Sequence, residues 1–329
     1  MPKYGFISRI GQGSYGVVMK ARVIETGKTV AIKRILLKND SQSKLELMRE
    51  VLCMQNCKHE NVVELFEVTE EDSTISLVME YLITNLKNVI SDVHRPNNDQ
   101  YVRFYFVQLF KGVDFLHKMH VMHRDIKPDN ILISSSNKLK ITDFGQSCLY
   151  CPELPDENYG NQAGTRWYRA PELLFGATVY DTKVDMWSCG CVLAEYLNSC
   201  PIFPGRNDFE QIAMIMNVLG NPGDDTWPGW EELPDSRKIT FEKVEAVEDW
   251  NVVAPLGSKA CLELLKSLLS YDSERRPSAE EALQKPFFAR AIPESLEYVP
   301  QPQSRNPASS QVVYQYAEIQ TAFLSLDDL

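Results

Sequence analysis

No run of apolar residues in this 329-residue chain approaches the length needed to cross a bilayer. Cations are scarce relative to anions: 34 Lys and Arg stand against 45 Asp and Glu, a formal net charge of -11. That balance argues against a nucleic acid partner or an anionic membrane surface, although a local basic groove could still hold an anion. The first residues, Met1-Pro2-Lys3-Tyr4-Gly5, have neither the basic stretch nor the apolar core of a secretory signal, so the expected compartment is the cytosol. A regular cysteine framework is also missing. Cys148 and Cys151 form one CxxC pair with no second pair at zinc-ribbon spacing, and the eight cysteines are expected as free thiols or small buried hydrophobes. No segment repeats internally.

What is present is a hydrophobic fraction of 44%, enough to bury one large core or two smaller ones with a cleft between them. From residue 4 to about 80, short runs of alternating apolar residues surround one helical segment, which predicts a small, mainly antiparallel sheet with a hairpin turn at Glu25-Thr26-Gly27-Lys28. From about residue 98 the period changes. Val102, Tyr105, Phe106, Leu109, Val113 and Leu116 recur three or four apart, as one buried helical stripe requires, and Val184 to Leu197 is expected to carry a second such stripe. Beyond Pro286-Phe287-Phe288 the composition turns to Pro, Ser, Gln and Asn through about residue 310, a linker or solvated tail after which Val312 to Leu326 could dock.

Glycines in Gly11-Gln12-Gly13-Ser14-Tyr15-Gly16-Val17-Val18 lie between two strand-like runs, where they let backbone amides approach an anion. A dinucleotide-binding unit would open a helix after the third glycine, whereas Val17 to Ala21 looks like another strand. A loop folded over a nucleotide's phosphates fits better. In Val30-Ala31-Ile32-Lys33, strand alternation puts Ala31 and Lys33 on one face, a small residue beside a cation, although a lysine snorkelling from a strand would read the same way. Glu50 falls on the apolar stripe Leu47, Val51 and Met54 of the following helix. A carboxylate there needs a cationic partner, and Lys33 is the candidate. Finally, His123-Arg124-Asp125-Ile126-Lys127-Pro128-Asp129-Asn130 is followed by Asp143-Phe144-Gly145. Asp125 suits acceptance of a hydroxyl proton, with Lys127 beside it, and the hard oxygens of Asn130 and Asp143 are those magnesium prefers.

Together these motifs resemble the eukaryotic protein kinases, from the glycine loop to about Phe288. The resemblance implies a bilobal α+β fold: a small β-rich lobe over residues 1–82 with one regulatory helix, a larger helical lobe over 83–290, and a tail over 291–329. It implies ATP and Mg2+ as cofactors, with Lys33 on the α- and β-phosphates and paired to Glu50, Asp125 orienting the substrate hydroxyl, and Asn130 and Asp143 on magnesium. Lys127 and Thr165 resemble the serine/threonine branch. By the same resemblance Met79 stands at the gatekeeper, Glu80, Tyr81 and Leu82 form the adenine-binding hinge, and Ile10, Val18, Ala31 and Leu132 sandwich the base. Gly164 to Glu172 and Val184 to Cys191 are similar to the cyclin-dependent kinase group, which is proline-directed, and the segments Leu193 to Asp208 and Leu233 to Ile239 to its cell cycle-related kinase subfamily. That implies Ser/Thr-Pro protein substrates, a role in cilium assembly or length control or in the cell cycle, and a cytoplasmic, nuclear or ciliary location.

Departures from the pattern are as informative. Where that group carries an activating phosphothreonine bound by three arginines, Arg49 and Arg124 match two of them, but the third position is Cys148 and the threonine's is Gly160. Control by that phosphate is therefore not expected; Asp156 or Glu157 could supply a fixed charge to the arginines instead. Ser14 and Tyr15 are positions where added phosphate would repel ATP. Ser43 to Glu50 departs from the cyclin-binding helix of the cell-cycle members, which leaves a cyclin-like or another activating partner open. His117, His120 and His123 are expected as a helix end running into the motif rather than as a metal site. An active protein kinase is preferred to a pseudokinase scaffold and to a small-molecule kinase, because all five catalytic positions and a long segment ending in Ala170-Pro171-Glu172 are present.

Overall fold

The computed structural model describes residues 3–302 apart from Ser14, Tyr15, 38–40, Asp72, Pro152, 154–156 and Ile239. The expectations for Ser14, Tyr15, Asp156 and Val312 to Leu326 lie outside these residues.

Five antiparallel strands open the chain: β1 (Tyr4–Gly13), β2 (Gly16–Val23), β3 (Thr29–Leu36), β4 (Leu65–Glu71) and β5 (Thr74–Glu80), in the order β1-β2-β3-β5-β4. The expected hairpin turn lies between β2 and β3, with Gly27 at φ 73° and its amide donating to the Val23 carbonyl. Alternation along β3 separates two environments. Val30 and Ile32 pack with Ala21 and Val78 into a small core on one face, while Ala31 and Ile35 join the main core on the other. Helix α1 (Ser41–Asn56) crosses between β3 and β4 and buries Leu47, Glu50, Cys53 and Met54.

The rest is mainly helical. After β6 (Thr84–Asn85) come α2 (Leu86–Ser91) and α3 (Asp99–Lys118), then β7 (Val121–Met122), β8 (Ile131–Ile133), β9 (Leu139–Ile141) and β10 (Cys148–Leu149). These short strands make two small sheets, β6-β8-β9 and β10-β7, that carry the motif loops between them. The helices α4 (Pro171–Leu174), α5 (Lys183–Asn198), α6 (Asp208–Leu219), α7 (Trp250–Val253), α8 (Lys259–Leu268) and α9 (Ala279–Leu283) complete the body. All six residues of the stripe expected on α3 are buried.

Helix α5 differs from expectation. Every residue from Val184 to Leu197 is buried, so it has no solvent face to contrast with a stripe. The reason is position: α5 packs against α3 and α8 as the central helix of the body, and its polar residues Asp185, Ser188 and Glu195 are instead satisfied by specific partners.

Candidate active site

The glycine motif spans the end of β1, which closes at Gly13, and the start of β2 at Gly16. Gly16 has φ 153°, and a Cβ there would lie 2.0 Å from the Arg34 carbonyl oxygen on β3, so only glycine lets the strands close at this point. Below the loop, cross-strand register places Lys33 opposite Val18 and Ala31 opposite Met79. Ala31, Met79 and Leu82 are buried in the main core, with Ile10, Val18 and Leu132 half-buried against it. Gly11 pairs with Val18, Gln12 with Val17 and Gly13 with Gly16. Glu80 is fixed from both sides, its amide donating to the Glu64 carbonyl while its carboxylate accepts from the Glu64 amide and pairs with Lys140 at 2.7 Å.

Lys33 meets Glu50 at 2.6 Å and Asp143 at 3.0 Å. Burial alone would lower the ammonium's pKa, but the two carboxylates outweigh it and hold it above the ordinary lysine value. Burial pushes Glu50 up, with Lys33 opposing. Burial would also raise Asp143, yet Lys33, His123 and Lys127 overcome that and keep it below the usual carboxylate range. The pair inferred from helix periodicity is therefore formed, and Asp143 joins it.

Asp125 is surrounded by donors. One carboxylate oxygen accepts from the Thr165 amide at 2.9 Å and from its hydroxyl at 2.7 Å; the other accepts from Lys127 at 2.8 Å and Asn130 at 2.9 Å. Lys127 also donates to the Thr165 hydroxyl at 2.7 Å, so that hydroxyl relays between ammonium and carboxylate. Asn130 spends its second amide hydrogen on the Asp125 carbonyl, which leaves the carboxamide oxygen as its remaining ligand atom. Asp143, at φ 66°, keeps a side chain 40% exposed. Hard oxygens at both positions fit magnesium.

Behind these groups stands a residue the sequence reading gave no role. Asp185, fully buried on α5, accepts from the backbone amides of His123 at 2.9 Å and Arg124 at 2.7 Å, and from the His117 ring at 2.9 Å. Burial would raise its pKa, but the His117 and His123 interactions outweigh it and hold the carboxyl down. The signal that could have found it is the one that found Glu50: a carboxylate inside an apolar run. His123 is held equally firmly. Its Nε2 donates to the Thr142 carbonyl at 3.0 Å and its Nδ1 accepts from the Asp125 amide at 3.2 Å, while the ring packs edge-on to Phe144. The three histidines thus take separate structural tasks, the His120 carbonyl accepting from the Tyr150 amide.

Among the described residues, Arg124 is not paired with an acid. Its guanidinium donates to the carbonyls of Gln146 at 2.7 Å and Tyr159 at 2.8 Å and to the Tyr180 hydroxyl at 2.9 Å. Glu157, expected as a charge for it, instead accepts from the Tyr159 hydroxyl at 3.2 Å, two residues along, and Arg49 is exposed. Neutral acceptors of good geometry surround Arg124, and Glu157 is not among them. At the end of the segment Gly164 has φ 82°; a Cβ there would meet the Arg124 carbonyl at 2.3 Å, and the Gly164 carbonyl accepts from Arg169 at 2.9 Å.

Residues 4–288 match the protein kinase domain family. The chain is 42% identical to cyclin-dependent kinase 20 of Danio rerio over 314 residues, covering 94% of this chain and 91% of that protein. Cyclin-dependent kinase 20 of Homo sapiens is 39% identical over 306 residues, 92% of this chain and 88% of that one. Among solved structures, a chain of the yeast RNA Pol II CTD kinase CTDK-1 complex superposes with a TM-score of 0.80 at 34% identity, over 92% of this chain and 96% of that chain.

Proposed function

Because the chain belongs to the protein kinase family, in its cyclin-dependent group, and is thereby a protein serine/threonine kinase, we propose that it is catalytically competent and directed to Ser or Thr followed by Pro. One observation carries the competence: the Lys33–Glu50 pair is closed at 2.6 Å in the same arrangement that sets Asp125, Asn130 and Asp143 together. That argues against a scaffold without activity, which needs none of these contacts.

In this reading ATP lies between the glycine loop and Leu132, with Ile10, Val18 and Ala31 against the base, Met79 behind it and the backbone of Glu80 to Leu82 along its edge. Lys33 holds phosphate oxygens. Magnesium, when bound by Asn130 and Asp143, supplies positive charge beside those oxygens. The chain's own work is orientation. Each oxygen of Asp125 already accepts two bonds, so an incoming hydroxyl must replace one donor, and the Thr165 hydroxyl, a free rotor, is the one that turns aside. Lys127 remains to balance charge near the transferred group.

Proline direction follows from Gly164. Its carbonyl is taken by Arg169, so no acceptor is offered to the amide after the phosphoacceptor, and proline, having no amide hydrogen, leaves nothing unsatisfied. The experiment is phosphate transfer to paired Ser-Pro and Ser-Ala peptides by wild type and Asp125→Asn. Wild type is expected to favour Ser-Pro by about tenfold or more, equivalent to one buried unpaired amide, with the variant near background. Equal transfer by both proteins, or equal use of both peptides, would contradict the reading.

A cyclin-like activating partner is supported by the exposed apolar side chains Met48 and Leu52 on α1 and Leu149 on β10, which packs against α1. The solved relative is itself part of a kinase complex. A role in a ciliary or cell-cycle pathway, and a place in cytoplasm, nucleus or cilium, rests on likeness to the cell cycle-related kinases; imaging of the tagged chain in ciliated cells tests it, and exclusion from all three compartments would reject it.

A further inference from the structure

We propose that the Tyr180 hydroxyl is a positioning group that closes the activation segment onto Arg124, and so sets Asp125 without any phosphoryl group on that segment. The inference rests on the kinase reading above and adds to it the means by which this chain holds its segment.

The contact is reciprocal. Tyr180 accepts from Arg124 at 2.9 Å and donates to the Gly160 carbonyl at 2.7 Å, while the same guanidinium reaches the Tyr159 carbonyl at 2.8 Å. Tyr159 is further fixed by its amide on the Thr178 carbonyl at 2.8 Å and by its ring, 5.6 Å from that of Tyr180. Among the described residues Arg124 donates to neutral oxygens, two carbonyls and one phenol, and a charged hydrogen bond to a neutral acceptor keeps much of its strength when partly buried. No anion is needed to gather the segment. Gly160 itself bears no hydroxyl, and among the described residues nothing lies within 4 Å of where its Cβ would be. Cys148, a half-buried thiol, takes the place of a further cation beside Arg124.

From Arg124 the constraint passes to the chemistry in short steps. Its amide is held by Asp185 at 2.7 Å, its carbonyl lies where a Gly164 Cβ would be, 2.3 Å away, and the next residue, Thr165, donates twice to Asp125. Freeing the guanidinium from Tyr180 therefore loosens Gly164 and Thr165. Lys33 and Glu50 are not on this route, so nucleotide binding is left as it is.

The test uses the full chain made in bacteria, treated with phosphatase and shown by mass spectrometry to carry no phosphate. Tyr180→Phe keeps the ring and removes the hydroxyl. It is expected to lower kcat/KM for a Ser-Pro peptide about tenfold, the loss of one hydrogen bond to a charged group, with KM for ATP unchanged and the unfolding temperature lowered by no more than a few degrees. Hydrogen exchange at the Tyr159 to Thr165 amides is expected to quicken in parallel. Identical kinetics and exchange in both proteins, or a wild type silent until an upstream kinase phosphorylates it, would overturn the proposal. Exchange that depends on Tyr180 without transfer by either protein would uphold the latch and overturn the catalytic competence proposed for the chain on its own.

Discussion

Glu195 shows how far one side chain can depart from its usual chemistry. Burial pushes its carboxyl up to about 7, against a hydrogen bond from the Tyr168 hydroxyl at 2.6 Å. A carboxyl whose pKa is higher folded than unfolded binds a proton that the unfolded chain releases, so stability falls as pH rises from about 4.5 to about 7. The loss across that window is on the order of 3 kcal/mol. Glu195→Gln keeps an acceptor for Tyr168 and carries no charge, so denaturant midpoints at pH 5 and pH 8 are expected to differ much less for the variant; equal losses in both proteins would refute the assignment. At this scale the sequence was informative wherever a charge interrupted an apolar period, as Glu50 does. It was uninformative for the Tyr180–Arg124 contact, because two residues 56 apart, joined through a hydroxyl, leave no periodic trace. Thr165 was recognisable by its place after the Asp143 motif, but its bonds to both Lys127 and Asp125 depend on how the segment folds back.

Elements are joined by a second buried charge system. Arg276 donates to both oxygens of Glu172 at 2.7 Å, and also to the carbonyls of Ser270, Tyr271 and Lys183, which ties α4 to the start of α5 and to the chain after α8. Removing one partner strands a guanidinium that is 1% exposed. Glu172→Gln is therefore expected to cost about 3 to 5 kcal/mol by equilibrium unfolding; a cost under about 1 kcal/mol would show the site can relax. The elements themselves were largely legible, since strand alternation and helical period are local. Helix α5 was misread as a stripe because a period measured against solvent fails when no face meets solvent, and only the packing of α3 and α8 around it makes that plain.

For the whole molecule, sheet and helical body are linked at the site itself, through Lys33 to Asp143 and through Glu80 to Lys140. What lies on the outside is Met48, 59% exposed, and Leu52, 52% exposed, one turn apart on the helix that carries Glu50. With about half of each side chain still to be buried, covering either against a partner is worth roughly 1 to 1.5 kcal/mol. If a cyclin docks there, one of a recombinant panel should stimulate wild type while Met48→Asp with Leu52→Asp abolishes stimulation and leaves unstimulated transfer intact. A panel without effect on wild type would remove the cyclin-like partner from consideration.

Gly160 carries a consequence for control in time. A phosphatase has nothing to remove at a position with no side chain, so this enzyme cannot be switched off there by reversal of a modification. Control of its output falls instead to how much of it is made, how long it lasts, what it is bound to, or charge added at another position such as Ser14 or Tyr15.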